Sequence, residues 1–337
     1  MPSTTVQNKT PNFSRRIKWL GIITAIVFAL YSAGWFYIAQ EGKRRVDLAL
    51  ANLTRSGTPV NCEQSEIKGF PFRLGLFCNS VNFEQPQKGI AFSAGQLRSA
   101  AQVYDPKRAI VELDGPAQLN LPELEPLVLH WRSLHASVRV AKPLPERVSV
   151  EAQALQIAVR GPAGADTKIV NADYASGHMR TEQTNVAFAG EGGGVSIDGA
   201  ATPGRTIPEF AASYDLLLND GVAVLTIKPQ SLRGLSGTIR QLQIIFKEGG
   251  TLKVTGPIMV DADGLINGEL TIVLSDAKKL GQALAKAAPE VSDMITTIMS
   301  TVGMANGEGK EAKIEVKIRK GRVSTGFFPL GNIPLVQ

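Results

Sequence analysis

Residues 19–39 form an uncharged, apolar run of 21 residues, WLGIITAIVFALYSAGWFYIA. As a helix rising about 1.5 Å per residue, this run would span roughly 31 Å, the thickness of the hydrocarbon core of a bilayer. Aromatic residues lie at its two ends, as is typical of the two membrane interfaces. The run therefore predicts a transmembrane helix, with Trp19, Trp35 and Tyr37 as its interfacial anchor residues.

A cleaved signal peptide is the alternative interpretation of this run. The run is longer than the apolar region of a usual signal peptide, which has about 7–15 residues. Cleavage after Ala33 or Ala39 would place Tyr31 or Tyr37 where the protease needs a small residue. The sequence therefore favours an uncleaved signal anchor.

The basic character of the chain belongs to the flanks of this run. The net charge of +6 is carried by residues 1–45, which leaves 29 basic and 29 acidic residues in positions 46–337. A neutral body lacks the basic surface that DNA or RNA binding requires, so no nucleic-acid partner is expected. More Lys and Arg precede the run than follow it, which favours an N-terminus in the cytoplasm. Residues 1–18 are predicted to be a disordered cytoplasmic tail.

Two cysteines, Cys62 and Cys78, follow the run at a separation of 16 residues. A disulfide closing so short a loop would contribute about 3 kcal/mol by constraining the unfolded chain. Two buried free thiols are the alternative. An even number of cysteines beyond a membrane anchor favours the disulfide, and with it an exported body.

The remaining chain predicts a helical stalk over residues 40–57 and a β-rich domain over residues 58–337, with room for two sub-sheets. Val46, Ala49, Leu50 and Leu53 share one face of the stalk, and Gly57 and Pro59 end it. From residue 58 the apolar period changes from 3.6 to 2. The predicted fold class is mainly β (α+β), a long curled antiparallel sheet on which a C-terminal helical pair, about 276–302, packs.

The predicted strands in the centre of the chain are long. They are Ile90–Tyr104, Ala109–Leu121, Leu127–Val140, Arg147–Arg160, Thr167–Arg180, Gln183–Ile197, Phe210–Leu218, Gly221–Pro229, Gly237–Phe246, Leu252–Val260 and Leu265–Leu274. A change of phase after Ala154 predicts a bulge. Residues Gly190–Gly194 predict a loop, and they lack the spacing of a phosphate-binding motif.

Two helices are predicted after the last long strand. Asp276 is a suitable N-cap for the first, over Ala277–Ala288, and Pro289 suits the first position of the second. The second helix carries an apolar stripe. The stripe is a candidate cap for a groove on the sheet and consists of Val291, Met294, Ile295, Ile298, Met299 and Val302.

No catalytic, cofactor or metal site is predicted. His130, His135 and His178 are scattered, and no Cys/His cluster has the spacing of a metal site. Residues Asp261–Gly264 resemble the start of a calcium loop, but their glycine comes too early, so they predict a turn. The sequence contains no P-loop and no nucleophile elbow, and we expect a protein that is not an enzyme.

Several features together resemble a family of Gram-negative bacteria known as domain of unknown function 2125. The first are the N-terminal anchor and the motif of Gly69, Pro71, Phe72 and Arg73 between Cys62 and Cys78. The others are GLINGELTIVLSDAKKL (264–280) and KGRVSTGFFPLGNIPLV (320–336). A looser resemblance is to AsmA-like envelope proteins, which carry an anchored, curled sheet implicated in lipid traffic. The resemblance implies a single-pass inner-membrane protein with its C-terminal domain in the periplasm.

These features give two expectations for function. The first is a non-enzymatic cell-envelope protein that binds lipid or acyl chains in an apolar groove of the sheet. The second is a periplasmic interaction or scaffold module that holds a partner protein through exposed sheet edges. An apolar face filled by its own side chains would be an ordinary core and would favour the second.

Overall fold

The computed structural model describes residues 13–161, 164–227, 231–306, 311–326 and 328–336. Its first element is helix α1 (Phe13–Arg55), which joins the apolar run and the predicted stalk in 43 continuous residues. The helix begins at Phe13, so residues 13–18 are helical and their prediction as disordered tail is wrong; residues 1–12 lie outside the described residues. Gly57, with φ of 82°, follows the end of the helix as predicted.

Twenty strands follow in the described part of the chain, and they form one antiparallel sheet. The first ten are β1 (Val60–Cys62), β2 (Glu66–Lys68), β3 (Arg73–Cys78), β4 (Val81–Gln85), β5 (Ile90–Ala94), β6 (Leu97–Gln102), β7 (Asp105–Leu113), β8 (Ala117–Asn120), β9 (Leu127–His130) and β10 (Ser133–Arg139). The others are β11 (Arg147–Arg160), β12 (Asp166–Glu182), β13 (Asn185–Ile197), β14 (Phe210–Leu218), β15 (Ser236–Phe246), β16 (Thr251–Val260), β17 (Ile266–Ser275), β18 (Ala312–Arg319), β19 (Arg322–Thr325) and β20 (Phe328–Asn332). The predicted mainly-β class, an open curled sheet, is confirmed.

The sheet runs as a meander from β20 back to β11 and then divides. Residues 133–139 of β10 pair with residues 147–153 of β11, and they begin a first arm in the order β10, β7, β6, β3, β2. Residues 127–130 of β9 pair with residues 156–159 of β11, and they begin a second arm in the order β9, β8, β5, β4, β1. The Cys62–Cys78 disulfide is present, and it joins β1 of the second arm to β3 of the first.

The division explains why three predicted strands are wrong as single elements. The segments Ile90–Tyr104, Ala109–Leu121 and Leu127–Val140 each pass from one arm to the other and split into two strands at a corner. Two corners are joined by backbone hydrogen bonds, since Gly95 N–H donates to Asp114 O and Asp114 N–H donates to Gln96 O. Because both halves of each segment alternate with period 2, the sequence pattern hides the corner.

Within the described ranges, three helices interrupt the sheet, α2 (Gly221–Ile227), α3 (Ala277–Ala287) and α4 (Ser292–Asn306), with short 3₁₀ turns at Pro86–Lys88 and Pro289–Val291. The prediction of a strand over Gly221–Pro229 is wrong, because this segment forms α2; Pro229 lies outside the described residues. A short apolar segment fits both periods, and tertiary packing decides between them. Here the backbone of Gly221 packs directly on Val186.

The predicted C-terminal helical pair is confirmed and packs on the sheet. Asp276 is the N-cap of α3 and its carboxylate accepts a hydrogen bond from Lys279 N–H at 3.3 Å. Helix α3 closes a core cluster of Phe246, Leu274, Leu280, Ala283 and Ala312. Helix α4 continues to Asn306, past residue 302, where the helical pair was predicted to end.

The glycine-rich segment Gly190–Gly194 lies inside strand β13, so its prediction as a loop is wrong. The register between β13 and β14 shifts between Gly192 and Val195, which places a bulge in this segment. The irregularity predicted in β11 is present, since Ala154 has a φ of 50° and the register with β12 shifts between Ile157 and Ala158.

Candidate functional site

One face of the sheet carries a continuous row of apolar side chains. Directly paired residues of neighbouring strands point to the same face. The pairing therefore aligns nine residues from nine strands, from β15 through β14, β13, β12, β11, β10, β7 and β6 to β3. This apolar row consists of Ile239, Leu216, Phe188, Met179, Val148, Val138, Ala109, Ala101 and Leu74.

The apolar row is only half-buried along its whole length. None of its nine side chains falls in the fully buried class. Helix α2 packs on β13 at Val186, and α3 packs on β16 and β17 near Leu274. Six of the nine strands of the row, from β12 to β3, lie outside β13–β18, on which α2, α3 and α4 make their main contacts. The apolar side chains of the row in these six strands are therefore left only partly covered.

Small residues widen the apolar face beside the row. Gly190 pairs with Tyr214 across β13 and β14 and with Gly177 of β12. A Cβ atom on Gly190 would lie 2.5 Å from the carbonyl oxygen of Ser176 and 2.7 Å from the Tyr214 ring. Because Gly190 has no side chain, the Tyr214 ring lies directly over the backbone of β13.

The predicted cap residues lie on α4 and, for Val291, on the 3₁₀ turn before it, and they differ in burial. Met299 packs against the core cluster and its Cβ would meet a Cβ on Gly281 of α3 at 2.9 Å. Ile295 is half-buried, whereas Val291, Met294 and Ile298 are exposed; the side chain of Val302 lies outside the described residues. Helices α3 and α4 both contact the sheet, α3 at β16 and β17 and α4 at β18. The exposed members of the stripe add an apolar surface beside these contacts.

The opposite face of the sheet is polar and carries a row of arginines. Arg139 pairs with Arg108 of β7 and with Arg147 of β11, and Arg147 pairs with Arg180 of β12. These four residues, named the arginine row, are all exposed. Like charges directly opposite each other destabilise a sheet, so the row has an energetic cost that folding alone does not explain. Glu146 pairs with Arg139 at 3.1 Å.

Helix α1 packs on the body through the loop Gly69–Arg73. The Phe70 ring lies 5.4 Å from the Trp35 ring and 5.7 Å from the Phe36 ring, centroid to centroid. Tyr31 Oη donates to Pro71 O at 2.6 Å, and Trp35 Nε1 donates to Arg73 O at 3.1 Å. Trp35 is 5% exposed, so this member of the predicted anchor set binds the body.

The other two predicted anchor residues, Trp19 and Tyr37, are 58% and 72% exposed. Within residues 19–39 only Trp35 and Ala39 are buried. The structure thus describes one N-terminal helix that is long and apolar enough to cross a membrane, and most of its apolar surface is left uncovered by the body.

A polar cleft of about 510 Å³ lies at the division of the sheet. Arg98 donates to both carboxylate oxygens of Asp114 at 2.7 Å and to Glu112 at 3.3 Å. The hydrogen bonds from Arg98 hold the pKa of Asp114 below its ordinary value. Trp131 Nε1 donates to Leu113 O at 2.8 Å. These contacts join the corners of all three divided segments, which is a structural role.

The histidines and the Asp261 turn form no reactive site in the described residues. His135 lies 3.7 Å from Glu112, and no group of three His, Cys, Asp or Glu side chains could hold a metal there. The Asp261 carboxylate accepts from Asp263 N–H, Leu265 N–H and Asn267 Nδ2, which confirms the predicted turn. The hydrogen bond from Leu265 N–H lowers the pKa of Asp261.

The structure thus defines a β-rich protein with one apolar N-terminal helix and a half-buried apolar face on its sheet. The chain belongs to the family described as "Uncharacterized protein conserved in bacteria (DUF2125)", which matches residues 35–334. The resemblance to domain of unknown function 2125 that the sequence indicated is therefore confirmed. No curated protein matches the chain.

Sequence reasoning missed the apolar row, the arginine row and the role of the loop Gly69–Arg73. The apolar row had a visible signal, the alternation within each strand, but its alignment depends on pairings between distant strands. The arginines had a weaker signal, since each lies near a strand end. The loop was noted as a motif, and only the folded chain brings it to Trp35.

Proposed function

We propose that this chain is a single-span inner-membrane protein whose periplasmic β domain binds lipid acyl chains along the apolar row and catalyses no reaction. The observation that carries the proposal is the half-buried state of the nine apolar side chains that the sheet aligns. Leaving such a row in contact with water is unfavourable at about 25 cal/mol per Å² of apolar surface. An apolar ligand that covers the row removes this cost.

The size of the row suits an extended acyl chain. Nine strands spaced roughly 4.8 Å apart give a row of about 38 Å. One leaflet of a membrane contributes roughly 15 Å of a hydrocarbon core about 30 Å thick, so the row can accept a complete acyl chain.

The position of the row relative to the anchor supports lipid as the ligand. The row ends at Leu74, which follows Arg73, the residue whose carbonyl accepts from Trp35 in the apolar run. The loop beside Leu74 therefore lies against the helix that we propose to span the membrane. A chain that leaves the bilayer next to this helix would meet the apolar row first at Leu74.

Site-specific photo-crosslinking in living cells tests this function. Benzoylphenylalanine in place of Met179 projects from the apolar face, and in place of His178 it projects from the polar face one residue away. Both side chains are half-buried, so the two variants are matched in position and burial. We expect an adduct with the added mass of a phospholipid at residue 179 and none at residue 178.

Equal labelling at both positions, or no phospholipid at residue 179, would contradict lipid binding at the apolar row. An adduct of residue 179 with another protein would favour an interaction module instead. Both variants should first form the Cys62–Cys78 disulfide, which reports that the body has folded.

Strand β20 is the specific observation that favours the second candidate, a module that holds a partner protein. All five of its residues are exposed, and Phe328 and Leu330 are 73% and 57% exposed. It pairs with β19 on one side, and an edge strand can add a strand from a partner. Benzoylphenylalanine at Leu330 should then crosslink a protein, an outcome independent of lipid at residue 179.

A further inference from the structure

The loop Gly69–Arg73 lies beside the part of α1 that carries the apolar run. This loop contacts Phe28, Tyr31, Trp35 and Phe36, all of which lie inside the uncharged run of residues 19–39. Phe28 lies eleven residues before Ala39, or roughly 16 Å along a helix. If the run crosses the membrane, the side chain of Phe70 reaches the depth of acyl chains.

The loop has the properties that such a position demands. Its two phenylalanines, Phe70 and Phe72, are 40% and 67% exposed, so apolar surface faces away from the body. Unpaired backbone groups are costly in hydrocarbon. Four carbonyls of the loop are paired. Two accept from backbone N–H groups: Gly69 O from Arg73 and Phe72 O from Val103. Two accept from side chains of α1: Pro71 O from Tyr31 Oη and Arg73 O from Trp35 Nε1.

Neighbouring turns lie beside the loop, at the same end of the strands of the first arm. Val103 N–H donates to Phe72 O, and Val140 N–H donates to Lys107 O, which joins the β2–β3, β6–β7 and β10–β11 turns. We name residues 66–73, 102–108, 139–147 and 180–182 the proximal edge. Tyr104 and Val140 on this edge are 77% and 50% exposed.

The proximal edge is basic although the body is neutral. It contains eight basic residues and four acidic ones, whereas residues 46–337 as a whole are balanced. The arginine row belongs to this edge. Lys and Arg next to exposed aromatic side chains are typical of surfaces that contact anionic phospholipid headgroups. This surface accounts for the cost of placing four arginines opposite one another.

We propose that the proximal edge docks on the outer surface of the same membrane, with Phe70 and Phe72 among the acyl chains and the arginine row at the phospholipid headgroups. This inference rests on the proposed membrane anchor. It adds that the β domain lies down on the bilayer, which brings Leu74 and the start of the apolar row to the lipid.

Spin labels on single cysteines test the proposal in the full chain, reconstituted in nanodiscs of phosphatidylcholine and phosphatidylglycerol. The two native cysteines form a disulfide, so an added cysteine is the free thiol. The sites are Phe72→Cys on the loop, Leu30→Cys on the apolar run and Leu124→Cys as an exposed control, all in exposed positions.

Leu124 is a matched control because its turn is far from the loop. Gly57 lies beside Gln87, and Gly89 of that turn lies beside Pro122, so Leu124 is at the level of the end of α1. The last residue of α1, Arg55, lies 20 residues after Trp35, or roughly 30 Å along the helix. We expect oxygen to collide with the labels at residues 30 and 72 several-fold more often than a water-soluble nickel chelate does, and the reverse at residue 124.

The three labels separate the possible failures. A label that meets lipid at residue 30 and water at residue 72 overturns docking but leaves the anchor intact. Access to water at residue 30 overturns the anchor and this inference together. Protection of residue 72 from both oxygen and the nickel chelate shows a protein contact, such as a second copy, and also overturns docking.

The arginine row is tested with a label at Val140→Cys. Access of the nickel chelate to this label should fall several-fold when phosphatidylglycerol is added to phosphatidylcholine nanodiscs. The double variant Arg108→Gln and Arg147→Gln should abolish the difference in access between the two lipid compositions. The control double variant, Lys313→Gln and Lys317→Gln, removes the same charge from β18 and should preserve that difference. Equal access in both lipid compositions, or equal effects of the two variants, overturns the role of the row.

Discussion

At the scale of single residues, Asp276 illustrates how a local rule sets the start of a helix. Its side chain caps α3, and its φ of 50° lies in the left-handed region that Asn and Asp tolerate best. We expect Asp276→Ala to lower the free energy of unfolding by about 1–2 kcal/mol, since both the cap and the backbone preference are lost.

Asp276→Asn is the matched control for the cap, because Asn keeps a side-chain oxygen and tolerates positive φ. It should retain most of the stability in denaturant titrations of the detergent-solubilised chain. Equal losses for the two variants would contradict a capping role.

Asp114 makes the stability at the sheet division depend on pH. Its pKa is lowered from the ordinary value of 3.8 by hydrogen bonds from Arg98. The folded state therefore gains stability above that ordinary value and loses it as the pH falls through the lowered pKa. Since the side chains of Arg98 and Asp114 are 35% and 45% exposed, solvent screens the pair and limits its contribution to about 1 kcal/mol or less.

We expect Asp114→Asn to lower the melting temperature at neutral pH, with the difference from the natural chain closing in acid. Thermal unfolding between neutral pH and pH 3 checks this expectation. A difference that is constant over this range would exclude the ionised carboxylate as its cause.

At the scale of elements, the glycines of β13 have unequal roles. A Cβ on Gly190 meets the carbonyl of Ser176 at 2.5 Å, whereas one on Gly192 meets its nearest neighbours at 3.5 and 3.7 Å, which is ordinary contact. Gly190→Ala should therefore cost about 1–3 kcal/mol because backbone and ring must shift. Gly192→Ala, two residues along on the same face, should cost much less in the same denaturant titration.

If Gly190→Ala and Gly192→Ala unfold at the same denaturant concentration, the close approach of Tyr214 and Ser176 to Gly190 does not constrain the strand. A loss confined to Gly190→Ala would confirm that this glycine is required by the sheet. The packing of β13 against its neighbours would then require a residue without a side chain at position 190.

The disulfide between β1 and β3 holds the ends of the two arms together. Closing a loop with a separation of 16 residues stabilises the fold by about 3 kcal/mol in the chain-entropy account. We expect Cys62→Ala with Cys78→Ala to lower the unfolding midpoint, and a reducing agent to lower that of the natural chain equally. Intact mass should rise by about 2 Da on reduction, the mass of two hydrogens; an unchanged mass would refute the bridge.

At the scale of the whole molecule, the charge of the flanks predicts one orientation. Alkaline phosphatase is active only on the exported side, where its disulfides form. Fused after Gly57 it should be active, and fused before Phe13 it should be inactive. An inactive Gly57 fusion would place the β domain in the cytoplasm and remove the basis for lipid binding from the outer leaflet.

Much of the fold follows from local patterns in the sequence. Strands such as Arg147–Arg160 and Phe210–Leu218 have the predicted bounds because period-2 alternation and turn residues mark both ends. The cap at Asp276, the turn at Asp261 and the long apolar helix also depend on neighbours in sequence, so they could be read directly. Residues Gly190–Gly194 and Gly221–Ile227 were misread because their conformation depends on Tyr214 and Val186, which approach only in the folded chain.

The sequence by itself determined the apolar helix, its charged flanks, the β-rich body and the family. Each of these is a property of consecutive residues. Only the tertiary structure decided that the sheet divides into two arms, that nine apolar side chains align and remain half-buried, and that Phe70 lies beside Trp35. Strand register and sheet order depend on contacts between residues that are far apart in the chain. These contacts stabilise the protein only once the chain has folded, so the local sequence pattern does not reveal them.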